Sequence, residues 1–451
     1  MTTVRRLPSA CLTALIACLM AWAFLPSGAG AATEIRPARQ ILRGPDLRTA
    51  TVTPSARAEA SASSFCTALR GDLRQGARAG GLLVIDAETD RVLCRQAAAK
   101  RRILASNMKL FTTATALGRL GPKHRFETSV WRAGKVDRNG VLRGNLYLVG
   151  GGDPLLTSPI FGQRVLGNVY SNIYGLVGPV TSAGIRRVTG RVYADASIFD
   201  SLRGVADSGF ATSPYIGPLS GLSFNLGYTT SSATSFSSSP EKLAGLKLMK
   251  ALEASGVQIT GDVAEGELPA TGARRRLGSI ESPTLDKIAN ATNVFSINFL
   301  AETLMKGLGA SFRERGTTAA GAGVVEGFAK QNGSGVQAAD GSGLTRSNRA
   351  SPAEVAGLLD AMRENRGASS FVDSLAVAGT EGTLADRMKG TAAAGRCRAK
   401  TGTISGVSAL SGYCFSTSGK TIVFSILMNG VSSFDAARAN QDEMAALIAR
   451  R

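Results

Sequence analysis

Apolar residues recur along this chain with two different periods, and the changes between them mark its elements. Phe65 begins a short helical stretch. Gly81–Asp86 is then rich in Leu, Val and Ile, Glu88-Thr89-Asp90 is polar, and Arg91–Cys94 alternates, which predicts a hairpin. From Ser106 to Leu120 the period lengthens: Leu110, Ala114, Leu117 and Leu120 share a helical face, and Gly121-Pro122 stops the run. Residues 125–282 read as short strands rich in Gly and Ser, with a hairpin signal at Asn139-Gly140. Helical spacing returns over Leu285–Leu308, and Ser351-Pro352-Ala353-Glu354 is a capping box with proline at the first helical position. Strands are expected over Lys400–Tyr413, turning at Ser405-Gly406, and over Thr421–Met428, with a last helix from about Ser433. The pattern predicts an α+β, multidomain chain. Residues 61–124 and 283–451 supply an antiparallel sheet flanked by helices, and 125–282 form a β-rich insert. No repeat of 20–50 residues interrupts this reading.

The N-terminus differs from everything after it. Arg5 and Arg6 precede the apolar run Ala10–Leu25, and Ala29-Gly30-Ala31 is a small-x-small cleavage pattern. Residues 1–31 are therefore expected to be a secretory signal peptide. The run of about 16 residues is short for a membrane span. Residues 32–60, rich in Ala, Ser, Thr, Pro and Arg without periodicity, read as a flexible linker. Export leaves Cys66, Cys94, Cys397 and Cys414, an even set in an oxidising compartment. With the turn at Ser405-Gly406, Cys397 and Cys414 fall directly opposite each other, which pairs them and leaves Cys66 with Cys94. With no Cys-x-x-Cys and one histidine, His124, no metal site is expected. The formal charge of +19 becomes +17 once Arg5 and Arg6 leave with the signal. Such a basic exported protein suits peripheral contact with an anionic wall or membrane surface. Nucleic acid is not expected: aromatics make up 6% of the residues and no recognition motif is present.

Three short motifs carry candidate chemistry. Ser106 and Lys109 lie at i, i+3, one face of a helix, the spacing a serine nucleophile and a lysine base need. Ser239 and Lys242 share that spacing, although Ser239-Pro240 also reads as an ordinary helix start after a serine-rich loop. Ser296 and Asn298 sit in an apolar helical run, where polar side chains need partners. Ser223-Phe224-Asn225 and Tyr170-Ser171-Asn172 have the same form. Lys400-Thr401-Gly402 lies on a strand: a cation for an anionic substrate and a glycine that lets something approach the backbone. A Ser-His-Asp triad would have to use His124, in a stretch beside two basic residues, and no Gly-x-Ser-x-Gly elbow exists.

In the order Ser-x-x-Lys, Ser-x-Asn, Lys-Thr-Gly, these motifs resemble the signature of the penicillin-recognising serine enzymes. The segments "LASNMKLFTTATAL", "LYLVGGGDPLL", "ATNVFSINFLAETLMK", "DGSGLTR" and "VAGTEGTLADRMKGT…AKTGTISGVSALSGY" narrow this. From Phe65 onward the chain resembles the low-molecular-mass class C penicillin-binding proteins, D-alanyl-D-alanine carboxypeptidases and endopeptidases. That family carries large domains between its first two motifs, as the 190 positions from Ser106 to Ser296 require. "DASIFD" (195–200) and "GPLSGLSFN" (217–225) also look like family segments, which assigns Ser223 and Asn225 to structure. His124, Cys397 and Cys414 depart from the family pattern.

The resemblance implies a transpeptidase-like domain, no cofactor, stem peptides ending in D-Ala-D-Ala as substrate, and acylation by β-lactams. It implies that Ser106 attacks the penultimate D-Ala carbonyl and Lys109 takes its proton. Ser296, with Asn298 and Lys400, would relay a proton to the leaving D-Ala. Lys400, Thr401 and Thr403 would hold the terminal carboxylate, Gly402 would allow close approach, and the N–H groups of Ser106 and Thr403 would form the oxyanion hole. Asp153 and Arg346 would orient the stem peptide or support packing. Lys109 would need a pKa near 7 rather than the ordinary ~10.4. A β-lactamase is the nearest rival, but no Glu-x-x-Leu-Asn segment is present. A non-catalytic sensor would need a transmembrane helix, and none follows the signal.

Overall fold

The computed structural model describes residues 56–451, with side chains from residue 63. The expected signal peptide and most of the expected linker lie outside the described residues. A helix, α1 (Ala56–Gly76), already begins inside the stretch read as linker.

The central sheet is built from strands far apart in sequence: β1 (Ala79–Asp86), β2 (Arg91–Gln96), β3 (Ala376–Val377), β4 (Cys397–Ile404), β5 (Val407–Phe415) and β6 (Thr421–Asn429), in the spatial order β3-β4-β5-β6-β1-β2. All its pairings are antiparallel. Helices cover both faces. On one side Leu83, Ala409, Tyr413, Val423 and Leu427 pack with α2 (Met108–Arg119), α3 (Leu285–Val294), α4 (Asn298–Arg313), α5 (Thr318–Gln331) and α6 (Pro352–Arg363). On the other, Leu82, Val84, Leu410, Phe424 and Ile426 pack with α1 and α7 (Phe434–Ala449). Burial on both faces explains why β6 reads as a nearly unbroken apolar run, and in β5 it extends to Ser408 and Ser411.

Local signals behave as their chemistry requires. The Ser351 hydroxyl accepts the Glu354 N–H while the Glu354 carboxylate accepts the Ser351 N–H, closing the capping box. Gly406 takes φ +71° in the two-residue turn between β4 and β5. That turn sets the register, so Cys397 faces Cys414. Disulfides join Cys397 to Cys414 and Cys66 to Cys94, the second tying α1 to β2.

Two expectations need correction. The run Leu285–Leu308 is two helices, α3 and α4, broken at Phe295-Ser296-Ile297, with Ser296 at φ +59°. The break spans about one turn, so the apolar face stays in phase across it and the periodicity conceals it. The insert also carries helices, including Pro159–Leu166 and Pro240–Ala254. Its sheet is mixed: 127–136 pairs antiparallel with 141–149, which pairs parallel with 192–195. The insert has a core of its own around Val130, Leu146, Val192 and Leu248. Leu155, Phe161, Ile216 and Leu219 nevertheless join the helical core around α2.

Candidate active site

Ser106 sits on a 3₁₀ turn, Ala105–Asn107, that leads into α2. Ala105 has φ +46°, a left-handed conformation that a side chain adopts only under constraint. Three contacts, two from β4 and one from the loop at Gly343, supply the constraint. The Asn107 amide donates to the Lys400 carbonyl at 2.9 Å, binding the turn to β4. A Cβ at Gly402 would lie 3.0 Å from the Leu104 carbonyl oxygen and 3.1 Å from the Ser106 nitrogen. A Cβ at Gly343, which has φ +88°, would overlap the Ala105 carbonyl. Gly402 thus leaves room for the protein's own nucleophile turn, a reason additional to the ligand approach expected from sequence.

Lys109 follows Ser106 by one helical turn, so its amine returns to the hydroxyl, with Nζ 3.1 Å from Oγ. Nζ also donates to Asn298 Oδ1 and to the Ser342 carbonyl, both at 2.7 Å. The Asn298 amide in turn donates to the Tyr215 carbonyl from the insert, which fixes Oδ1 toward the lysine. Lys109 is fully buried, and desolvation lowers its pKa to about 7 against the opposing pull of Glu302 and Asp340. A neutral amine has two N–H groups and one lone pair. The two carbonyl-type oxygens can only accept, so they take the N–H groups. The lone pair is left for the one neighbour able to donate, the Ser106 hydroxyl.

Lys400 is also completely buried, its Nζ donating to the Thr401 carbonyl at 2.9 Å. Desolvation, then Lys109, pushes its pKa well below that of an ordinary lysine. Strand β3 pairs only with Arg398 and Ala399, so β4 is an open sheet edge from Lys400 to Ile404. Thr401 is half-buried and Thr403 exposed on that edge.

The other expected residues fall in varied places. Ser296 lies in the α3–α4 break, two residues before Asn298, and its hydroxyl bonds to neither Ser106 nor Lys109. Arg346 donates to the Ser405 carbonyl at 2.7 Å, bracing the β4–β5 turn. Asp153 is buried in the insert, where its carboxylate accepts from the Leu155 N–H and the Ser171 hydroxyl. Burial raises its pKa to about 6. Ser239 starts the helix Pro240–Ala254 and donates to Glu265, while Lys242 is exposed. Asn225 accepts from the Ser158 N–H. His124 packs edge-on against Phe126 at 5.0 Å, and no carboxylate among the described residues bonds its ring.

Sequence reasoning passed over Glu302 and Asp340, both buried beside Lys109. A signal existed: Glu302 is an acid in the apolar run "FLAETLM", four residues after Asn298, and buried acids are rare unless paired.

The D-Ala-D-Ala carboxypeptidase 3 (S13) family matches residues 68–238 and 226–451. The chain belongs to this family. It is therefore a peptidase of the serine type, in agreement with the Ser106–Lys109 arrangement. A D-alanyl-D-alanine carboxypeptidase of Actinomadura sp. (strain R39) is 33% identical over 452 residues, covering 82% of this chain and 81% of that protein. Among solved structures, penicillin binding protein 4 of Haemophilus influenzae aligns with TM-score 0.71 at 20% identity, covering 84% of this chain and 97% of that one. Its complex with a β-lactam aligns at 0.68, with the same identity and coverage. A predatory peptidoglycan endopeptidase of Bdellovibrio bacteriovorus aligns at 0.51 with 18% identity, covering 80% and 90%. These likenesses establish the penicillin-binding-protein fold.

Proposed function

We propose that this chain is an exported, periplasmic or wall-facing D-Ala-D-Ala carboxypeptidase/endopeptidase that works through a Ser106 acyl-enzyme. The observation that carries the reading is the Lys109 amine, fully buried, 3.1 Å from Ser106 Oγ and held by two oxygens that can only accept. Ser106 attacks the penultimate D-Ala carbonyl as Lys109 removes its proton. The Ser106 and Thr403 N–H groups receive the developing oxyanion. The substrate lies along the open edge of β4, and its terminal carboxylate meets Lys400, Thr401 and Thr403 through charge-assisted hydrogen bonds. The proton that Lys109 took from Ser106 goes, by way of Ser296, to the amine of the departing D-Ala, and water then cleaves the acyl-enzyme and restores the Ser106 hydroxyl. Arg346 and Asp153 support this site indirectly, through the β4–β5 turn and the insert. β-Lactams carry a comparable carboxylate and acylate the same serine. The net charge of +17 after signal removal suits the polyanionic wall surface.

A fluorescent penicillin is expected to label the wild type and Ser239→Ala but not Ser106→Ala, with the adduct mapping to the Ser106 peptide. Labelling of Ser106→Ala at that same peptide would remove the mechanism. Release of D-Ala from a D-Ala-D-Ala peptide separates the peptidase from a β-lactamase, and digestion of purified peptidoglycan separates end-trimming from cross-link cleavage.

A further inference from the structure

The Ser342 carbonyl that accepts from Lys109 belongs to a peptide unit held from its far side. That unit's N–H, on Gly343, donates to Asp340 Oδ1 at 2.6 Å. A trans peptide points its N–H and C=O in opposite directions, so an anchor on one aims the other. The two preceding units are anchored too: the Gly341 and Ser342 N–H groups donate to the two oxygens of Glu302 at 2.9 and 2.8 Å. Asp340 further accepts from the Thr345 N–H and the Asn348 amide, each at 2.7 Å. Thr112, on the helix that carries Lys109, donates to the Gly341 carbonyl at 2.8 Å. Glu302 lies one turn beyond Asn298 on α4. The same helix therefore reaches Lys109 directly through Asn298 and indirectly through the 341–343 backbone.

We infer that Glu302 and Asp340 are positioning residues: a buried carboxylate brace that aims the Ser342 carbonyl at Lys109 Nζ and thereby turns the amine's lone pair to Ser106. This rests on Lys109 acting as the base for Ser106. Two carboxylates buried together are costly: burial and then the neighbouring Asp340 raise the Glu302 pKa, and burial raises that of Asp340 against its hydrogen bonds from Thr345, Gly343 and Asn348. Packing alone would be served as well by apolar side chains of the same volume. What apolar side chains cannot do is hold four backbone N–H groups of one short loop, Gly341, Ser342, Gly343 and Thr345, in fixed directions.

The charged groups facing Lys109 are Glu302 from α4, Asp340 from its loop and Lys400 from β4. Lys306 lies one turn beyond Glu302 on α4. Both carboxylates raise the Lys109 pKa and Lys400 opposes its charge. Glu302→Gln or Asp340→Asn therefore removes negative charge and should lower the pKa of the base.

The test follows acylation by a fluorescent penicillin as a function of pH, with thermal unfolding measured alongside. Two changes are expected in each folded variant. The maximal acylation rate falls by on the order of 10- to 100-fold, the scale set by a misplaced reacting group. The acid limb of the profile moves to lower pH, while penicillin binding before acylation is unchanged. A fall in rate with the limb unmoved would mean general loosening and would overturn the brace, as would wild-type kinetics. Should neither variant fold, hydrogen exchange on the wild type decides. The 341–345 amides should open only with global unfolding, and exchange at the rate of an exposed loop would refute the inference. If the wild type itself is not labelled at Ser106, the proposed function fails rather than the brace.

Discussion

Lys109 and Lys400 are both fully buried and both pushed down in pKa, yet their partners differ in kind. Lys109 faces a hydroxyl and two carbonyl oxygens, a setting for moving a proton. Among the described residues the Lys400 amine donates only to the carbonyl of Thr401, beside an open strand edge, and so has capacity left for an anion. Losing a hydrogen bond to a charged group is worth about 1.5–3 kcal/mol, or roughly 10- to 150-fold in the specificity constant. Lys400→Ala is expected to weaken cleavage of a free-acid D-Ala-D-Ala peptide by at least that range and to narrow the discrimination between the acid and its amide. Any effect of Lys400 on Lys109 acts on both substrates alike, so the acid-to-amide ratio isolates the carboxylate contact. A ratio equal to wild type would show that Lys400 is not the anchor. At this scale the Ser106/Lys109 pairing was legible because i, i+3 residues must share a helix face. The Glu302–Asp340 pair was not, since the two residues meet only when α4 and the 340–345 loop fold against α2.

Among the elements, the tightest junction is that of β4 with the nucleophile turn. Gly402 is buried, and its missing side chain leaves room for the Leu104–Ser106 backbone. In Gly402→Ala the new methyl would sit 3.0–3.2 Å from Leu104 O, Ser106 N and Ala105 Cβ, so the turn must yield by a few tenths of an ångström. Removing one oxyanion donor outright costs about 10²–10³ in rate. Displacing the Ser106 N–H is expected to slow acylation by roughly tenfold or more within that ceiling, with only a small change in unfolding temperature. Wild-type acylation rates in this variant would contradict the role given to the Ser106 N–H. The antiparallel sheet, the capping box and the β4–β5 turn could all be read from alternation and turn chemistry. The break at Ser296 could not: neither Gly nor Pro marks it, and Asn298 opens α4 without a side-chain cap bond.

Over the whole molecule, the insert is tied to the catalytic helices by more than apolar packing. Lys306 on α4, with a fully buried side chain, pairs with Asp200 of the insert at 2.5 Å and donates to the Leu202 carbonyl at 2.7 Å. The Thr345 hydroxyl donates to Asp207, and Asn298 leans on the Tyr215 carbonyl. Removing one partner of a buried pair strands the other charge, at a cost of about 3–5 kcal/mol. Asp200 retains some contact with water, so Asp200→Ala should lower stability by about 3 kcal/mol. Lys306→Met, which removes the buried charge itself, should cost less. Urea unfolding of both variants beside the wild type measures the losses: a wild-type stability in Asp200→Ala would mean that the pair contributes little, and equal losses in the two would mean that stranding the lysine charge carries no extra cost.

The sequence by itself determined the β4–β5 turn, the capping box, the opposition of Cys397 and Cys414 and the spacing within the three motifs, because each depends on neighbours within a few residues or on the register of one hairpin; Cys66 and Cys94 followed as the remaining pair. It also contained, through the ordered motifs, the resemblance to the family to which the chain belongs. Tertiary structure alone decided where those motifs meet. Ser106, Asn298, Ser342 and Lys400 come from four distant parts of the chain, and no local period records their distances. Desolvation of Lys109, the direction of its lone pair and the close approach behind Gly402 are properties of that meeting, produced when α2, α4, the 340–345 loop and β4 close around one amine.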